Sequence, residues 1–210
     1  METSEPDSSS LPGGAARAAF EAGRQATRAA LALKCAELFP GECAITLEIG
    51  CGHGHYLAAY SEAHPEEVCV GVDLITKRVL KGDRKRTARG LERLHFVKAE
   101  ALEFIDALPA HVSIARVFVL FPDPWPKTHH WKHRIVQQPL LDKLASRTRP
   151  GTVLCLRTDH EGYFKWMKKE VAKNPHWNAD PSAVWPFEAP SFFQSLMKSW
   201  QSMVAVRITD

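Results

Sequence analysis

The chain has 210 residues, of which 45% are hydrophobic and 24% charged, and its formal net charge is +3. This length suits one globular domain with a substantial core, and the small net charge does not by itself indicate a nucleic-acid-binding protein. No apolar run approaches the length of a membrane span, so the sequence predicts no transmembrane segment.

The elements predicted along the chain alternate between helix and strand. Residues 1–16 are rich in Ser, Pro and Gly and are predicted to form a disordered tail, and residues 17–210 a single domain. Helices are predicted for residues 18–39, 55–63, 76–90, 101–108, 138–147 and 162–172. Strands are predicted for residues 43–49, 68–74, 94–98, 114–121, 152–157 and 203–209, with irregular structure over 174–192. This order predicts an α/β fold with a doubly wound, mostly parallel, Rossmann-like sheet and a C-terminal antiparallel strand.

The five cysteines are widely spaced, and no two of them form a Cys-x-x-Cys pair. We therefore expect buried thiols in a reducing compartment. The first residues include three acids and lack the basic segment and apolar core of a signal peptide, which predicts a cytoplasmic protein.

Basic residues are concentrated in the helix predicted for 76–90. Between Lys77 and Arg93 there are eight bases and two acids, a local charge of +6. Such a surface could hold phosphates, although a solvated helix face explains the same pattern.

A glycine-rich turn, with Gly50, Gly52 and Gly54, lies directly between the first predicted strand and the following helix. Glycines allow a tight turn and close approach of the backbone to a ligand. A dinucleotide fingerprint would need glycine where the chain has His55. The carboxylate of Glu48, just before the turn, would repel a pyrophosphate but could hold an ammonium group.

Acidic residues also end the next two strands. Asp73 is placed for the hydroxyls of a ribose, and Glu100 for the region of an adenine. Together with Glu48, these carboxylates suit a cationic cofactor. S-adenosylmethionine fits this description, because it carries an ammonium and a sulfonium but no phosphate.

The fourth predicted strand ends in a segment where prolines alternate with an acid, an aromatic and a base. Three prolines in five residues forbid helix and fix an extended, stiff path just past a buried strand. The residues are Pro122, Asp123, Pro124, Trp125, Pro126 and Lys127. The bases Lys132 and Arg134 follow, together with the imidazoles of His129, His130 and His133. The three imidazoles lack paired cysteine or carboxylate ligands, so we expect no metal site there.

With these motifs in view, residues 45–210 resemble the tRNA (guanine-N7)-methyltransferase family of class I methyltransferases. The resemblance is carried by Phe121-Pro122-Asp123-Pro124-Trp125-Pro126-Lys127, by Glu48-Ile49-Gly50-x-Gly52-x-Gly54 and by Thr158-Asp159-x-x-x-Tyr163. It implies that S-adenosylmethionine donates a methyl group to N7 of a guanosine in tRNA, namely guanosine 46 of the variable loop. A monomer or homodimer without metal or membrane attachment is expected.

The same resemblance assigns roles to individual residues. Asp123 is expected to be catalytic and to contact the methyl donor together with Glu48, Gly50, Gly52, Gly54, Asp73 and Glu100. The residues expected to contact the RNA substrate are Lys127, Asp159, Ser191, Phe192, Phe193 and Gln194.

The chain departs from the family pattern on the RNA side. Two arginines usual after Lys127 are imidazoles here, whose unperturbed pKa is about 6.5. The late Thr-Lys-Phe-Glu motif appears as Ser191-Phe192-Phe193-Gln194. The alternatives are a methyltransferase of another nucleic acid, including an amino-methyltransferase of adenine or cytosine, and a non-catalytic RNA-binding homologue. A nicotinamide oxidoreductase is disfavoured by His55 and Glu48.

Overall fold

The computed structural model describes residues 14–189 and 199–208, of which residues 14–16 by their backbone alone. The described residues form six α-helices: α1 Gly14–Leu38, α2 His55–Ala63, α3 Thr76–Ala88, α4 Ala101–Ala107, α5 Gln138–Ala145 and α6 Glu161–Lys173. A short 3-10 helix covers Thr128–His133. The strands are β1 Cys43–Ile49, β2 Val68–Asp73, β3 Leu94–Lys98, β4 Val112–Leu120, β5 Thr148–Thr158, β6 Trp177–Ala179 and β7 Gln201–Arg207.

The strands form one seven-stranded sheet in the order β3-β2-β1-β4-β5-β7-β6. Strands β1 to β5 are parallel, and β7 runs antiparallel to both β5 and β6. The chain order reverses between β1 and β4, and in open α/β sheets ligands bind at the carboxyl ends of the strands beside such a reversal. The predicted α/β fold with a C-terminal antiparallel strand is therefore confirmed.

Several helix and strand ends differ from the prediction by one or two residues, and three differences are larger. Helix α1 begins at Gly14, inside the segment predicted to be a tail. Strand β5 begins at Thr148, before the expected break at Pro150, because Gly151 with φ +88° and a shift in register against β4 accommodate an irregularity. Strand β6 lies in the segment predicted to be irregular, where three residues are too few to show a period of two.

The two faces of the sheet carry different hydrophobic clusters. Ile45, Leu47 and Ile49 of β1 belong to the cluster that includes residues of α4, α5 and α6. Residues of α2 and α3 contribute to the second cluster, which also contains Phe96 and Phe118. Because side chains alternate along a strand, Glu48 of β1 points to the α2 face, opposite Ile49.

Burial of the thiols follows the prediction. All five cysteines are free, and four of them are buried. Burial raises the pKa of Cys35 to about 11 and that of Cys155 to about 12. Among the residues that the structure describes, no helix combines the length and the apolar character needed to cross a bilayer.

Candidate active site

A cavity of about 500 Å³ lies at the carboxyl ends of the parallel strands, beside the reversal of strand order. Its walls come from segments that follow each of the five parallel strands. The predicted site residues that line it are Gly50, Gly52, Asp73, Glu100, Asp123 and Asp159. Residues far apart in sequence thus meet in one pocket, whose lining includes four carboxylates.

The remaining predicted residues lie elsewhere. Glu48, Gly54 and Lys127 do not line the cavity. The segment Ser191-Phe192-Phe193-Gln194 lies outside the described residues.

Backbone amides of the glycine loop, residues 50–54, donate hydrogen bonds to the end of β2. Gly50 and Gly52 have φ of +73° and +54°, values that favour glycine. The amides of Gly50 and Cys51 donate to the carbonyl of Val72 at 2.9 and 3.0 Å, and the amide of Gly52 donates to Asp73 Oδ2 at 3.0 Å. The loop is therefore fastened to the end of β2.

The carboxylate of Asp73 binds both the glycine loop and the residues that follow β2. Its side chain is buried, Oδ1 accepts from the amide of Ile75 at 2.8 Å, and Oδ2 lies 3.5 Å from Arg78 Nη1. Each carboxylate oxygen has a second lone pair, so Asp73 can still accept a hydrogen bond from a ligand in the cavity.

Gly54 serves packing rather than the cavity wall. A Cβ on Gly54 would lie 2.4 Å from Cζ of Phe96 and 3.1 Å from the Cα of Gly82. Gly71 and Gly82 also contact this ring, since a Cβ on either residue would come within 2.9 Å of it. Phe96 therefore fills a space that three glycines leave open, and the glycine loop packs against it.

Glu48 lies one layer behind the cavity, on the α2 face. Burial, more than the nearby charge of Asp73, raises the pKa of Glu48 to about 8, although a hydrogen bond from the backbone of Leu57 lowers it. Its Oε2 is buried and has no hydrogen-bond partner. Such a carboxyl is largely protonated at neutral pH.

Glu100 directly precedes helix α4. Its Oε2 accepts from the amide of Glu103 at 3.0 Å, so it acts as the N-cap as well as a wall of the cavity. Glu103 in turn binds Arg24 and Arg28 of α1 at 3.0 and 3.2 Å, and these ion pairs lower its pKa. Two strand-end carboxylates, Asp73 and Glu100, are thus fixed by backbone amides.

The proline loop, residues 121–127, is bent at two places. Phe121 and Trp125 have φ of +49° and +43°, which is uncommon for residues other than glycine. Such conformations cost of order 1–3 kcal/mol each and cluster at functional sites. The path is therefore not extended throughout, contrary to the prediction, because two left-handed residues interrupt it and flank the exposed Asp123.

Arg134 does not belong to the cationic surface that the sequence suggested. Only 4% of its surface is exposed, and it donates to the carbonyls of Pro124 and Trp125. A buried guanidinium cannot meet a phosphate. The contacts of Arg134 are instead with the backbone of the proline loop.

Two of the imidazoles after the proline loop lie against Trp125. The rings of His133 and His130 lie 5.1 and 5.5 Å from its ring, and His133 also lines the cavity. Lost solvation, and then the neighbouring imidazoles and lysines, lower the pKa of His130. Among the described residues, the acidic and imidazole groups that converge tightly enough to suggest a metal site are His64, Glu66 and Glu67, which precede β2 at the other end of the sheet.

Asp159 and His160 complete the wall after β5. His160 was missed, although it follows the predicted Thr158-Asp159 pair directly. Its Nδ1 accepts from the amide of Tyr163 at 3.1 Å, which caps α6, and its own amide donates to Thr158 Oγ1 at 3.2 Å. Arg78 was assigned only to the basic helix, yet it also lines the cavity, a placement that the sequence pattern alone does not reveal.

Solved structures show the same architecture at low sequence identity. TrmN from Thermus thermophilus aligns with a TM-score of 0.56 and 15% identity, over 85% of this chain and 48% of that one. The 16S rRNA (adenine(1408)-N(1))-methyltransferase from Catenulisporales acidiphilia gives 0.55 and 19%, over 85% and 92%. These likenesses support the fold.

Curated relatives are more similar in sequence. Proteins named tRNA (guanine-N(7)-)-methyltransferase match at 32% identity over 148 residues in Caulobacter vibrioides and at 35% over 150 residues in Magnetococcus marinus. The matched regions cover 70% of this chain, and 65% and 57% of those relatives. The chain thus spans less than two thirds of their length.

A family profile matches most of the chain, from residue 42 to residue 193. The match begins just before β1 and includes the glycine loop, the proline loop and the strand-end carboxylates around the cavity. This chain belongs to the family described as "Putative methyltransferase".

Proposed function

We propose that this chain transfers a methyl group from S-adenosylmethionine to N7 of a guanosine in tRNA, with guanosine 46 of the variable loop as the target. The observation that carries the proposal is the cavity in which Asp73, Glu100, Asp123 and Asp159 meet beside the proline loop. The curated relatives with this activity in their names support it.

The residues present fit the methyl donor. A volume of about 500 Å³ lies within the range of cofactor pockets. Carboxylates on several sides favour a cationic ligand, and the exposed side chains of Leu74 and Ile75 offer an apolar wall for an adenine ring. When bound, S-adenosylmethionine supplies an electrophilic methyl group on its sulfonium.

Each residue on this side then has a defined task. The backbone of Gly50 and Gly52 allows close approach, Asp73 accepts from ribose hydroxyls through its free lone pairs, and Glu100 lies at the adenine end. Gly54 and Glu48 lie behind the residues that line the cavity. Gly54 permits the packing of Phe96, and Glu48 adds a carboxyl that a nearby cation would deprotonate.

The chemistry demands positioning rather than a strong base. Guanine N7 has an in-plane lone pair free to attack, so catalysis rests on alignment and electrostatics. Positive charge develops on the purine, and the exposed carboxylate of Asp123 stabilises it. Asp123 and Asp159 can also accept hydrogen bonds from guanine N1–H and the exocyclic amine, while Trp125 offers a ring for stacking worth about 1–3 kcal/mol.

The RNA backbone would meet the surface beyond the cavity. Lys127, at the end of the proline loop, and Lys132, just after it, are exposed, and His129 and His133 lie beside them in the chain. We also assign Ser191-Phe192-Phe193-Gln194 to substrate contact, on the resemblance alone. A protein acting on tRNA in this way would work in the cytoplasm, as a monomer or homodimer.

The proposal is tested by incubating the purified chain with unmodified tRNA and labelled S-adenosylmethionine, followed by digestion and mass spectrometry. N7-methylguanosine at position 46 is the expected product. Methylation at another guanosine would contradict the proposed position. Transfer to ribosomal RNA or mRNA instead would contradict the proposed substrate. Binding of tRNA without any transfer would indicate a non-catalytic homologue.

A further inference from the structure

Arg134 is a buried cation held by aromatic rings. Its guanidinium carbon lies 4.6 Å from the ring centre of Trp131, 4.9 Å from that of Tyr163 and 5.0 Å from that of Trp166. Within the described part of the chain, no carboxylate lies within ion-pair distance of it. A charge buried without an acidic partner is costly, so its other contacts must compensate.

Those contacts are two successive carbonyl groups of the proline loop. Arg134 Nε donates to the carbonyl of Pro124 at 2.9 Å, and Nη2 donates to that of Trp125 at 3.4 Å. Trp125 is one of the two residues of the loop with positive φ. Arg134 therefore stabilises the backbone at the point where it departs from an extended path, next to Asp123.

Only arginine can make this set of contacts. Its planar fork directs separate N–H groups at neighbouring acceptors while its faces stack on aromatic rings. A lysine ammonium keeps the charge but is a single, compact centre, so it cannot reach both carbonyls in this geometry.

The same aromatic cluster connects the chain just after Arg134 to α6. Tyr163 Oη accepts from the amide of Val136 at 3.2 Å, and Trp166 Nε1 donates to the carbonyl of Val136 at 2.9 Å. Helix α6 begins next to Asp159 and His160, which line the cavity. Arg134 thus lies between the two segments that carry Asp123 and Asp159.

We propose that Arg134 is a positioning residue for methyl transfer: it fixes the backbone of Pro124 and Trp125 against α6, so that Asp123 and Trp125 face the target base. The inference rests on the proposed function, and it concerns the substrate wall alone. The hydrogen bonds that fix the glycine loop, Asp73 and Glu100 do not involve Arg134, so this side should bind the methyl donor without it.

The test compares Arg134→Lys and Arg134→Met with Arg116→Lys in the full chain. Arg116 is a partly buried arginine over the ring of Tyr60, paired with Glu67 at 3.1 Å and remote from the cavity lining, so it controls for general loss of stability. We expect kcat for tRNA methylation to fall about 10²-fold in both Arg134 variants, because small displacements of aligned groups carry penalties of this size. Binding of S-adenosylmethionine, measured by calorimetry, should stay within about twofold, and Arg116→Lys should retain kcat.

Hydrogen exchange measured by mass spectrometry provides a readout that does not depend on activity. Amides of residues 121–134 should exchange faster in Arg134→Lys than in the parent chain, whereas amides of β1 and β2 should not change. Unchanged kcat or unchanged exchange in this segment would overturn the inference, as would an equal loss of donor binding. If the parent chain methylates no tRNA, the proposed function fails, and the exchange result still decides whether Arg134 holds the loop.

Discussion

The two sides of the cavity are built in different ways. On the methyl-donor side, the glycine loop, Asp73 and Glu100 are fixed by hydrogen bonds to backbone amides at or next to strand ends. On the substrate side, the proline loop contains two residues with positive φ and depends on a buried arginine and on rings of α6. The methyl-donor side is formed by the regular turns of an α/β fold. The substrate side contains strained backbone, whose cost contacts with residues distant in sequence must offset.

The largest effect expected from this comparison is on the chemical step. Asp123→Asn keeps the size of the side chain but removes the negative charge beside the target purine, so we expect kcat to fall by about 10²–10³-fold, as for loss of a single electrostatic group. Binding of S-adenosylmethionine and of tRNA should weaken far less. Single-turnover kinetics and separate binding measurements check this.

Asp106→Asn is the matched control, because Asp106 is exposed and pairs with Lys143 away from the cavity. Its kcat should equal that of the parent chain. If Asp123→Asn weakens tRNA binding as much as it slows turnover, Asp123 supports structure rather than catalysis.

On the methyl-donor side, a substitution that disturbs the packing behind the cavity should reduce stability more than a substitution in the cavity wall. Gly54→Ala forces a Cβ against Phe96 at a residue with φ of +68°, and we expect a loss of about 2–4 kcal/mol in the free energy of unfolding. Gly52→Ala meets nothing within 4 Å, so only its positive φ counts and the loss should be about 1 kcal/mol. Urea denaturation compares the two. Equal losses would show that strain alone, and not the packing of Phe96, sets the requirement for glycine.

The sequence predicted most of this fold because the five parallel strands are apolar runs and the helices between them have clear ends. The boundaries of β1, α2 and β3 agree with the prediction. Strand β6 was missed because pairing with β7, rather than its own pattern, makes its three residues a strand. The early start of β5 depends on a register shift against β4, which local sequence does not reveal.

The site residues that could be predicted from sequence are those at or just after the carboxyl ends of the parallel strands. Asp73 and Glu100 were found in this way, whereas the orientation of Glu48 depends on the alternation of side chains along β1. Leu47 and Ile49 share one face of the sheet, so Glu48 lies on the other. Arg134 could not be placed from sequence, because Tyr163 and Trp166, which hold it, come from a helix that follows another strand.

The position of Glu48 predicts a pH dependence of stability. Its pKa of about 8 in the folded chain lies above the ordinary 4.5, so the folded state holds the proton more tightly than the unfolded state. Its contribution is present in full below about pH 4.5 and is lost as the pH rises through about 8. Glu48→Gln should therefore gain stability relative to the parent chain by about 4 kcal/mol between about pH 5 and pH 8.5.

Thermal and urea denaturation over this range measure the effect. Glu103→Gln is the control, because ion pairs with Arg24 and Arg28 lower the pKa of Glu103, and its titration lies below this range. Parallel stability curves for Glu48→Gln and the parent chain would show that Glu48 is ionised in the folded protein throughout.

The smallest effect expected is on the RNA surface of the substrate side, where imidazoles replace permanent charges. The ordinary pKa of imidazole is about 6.5, so lowering the pH from about 8 to about 6 should add positive charge beside Lys127 and Lys132 and strengthen tRNA binding roughly threefold to tenfold. His130 should contribute little, because lost solvation and the surrounding cations lower its pKa. The paired variant His129→Gln/His133→Gln should flatten the profile, whereas His130→Gln should leave most of it. A profile that is already flat in the parent chain would mean that these imidazoles do not meet phosphates, and that residues with permanent charge carry the electrostatic attraction.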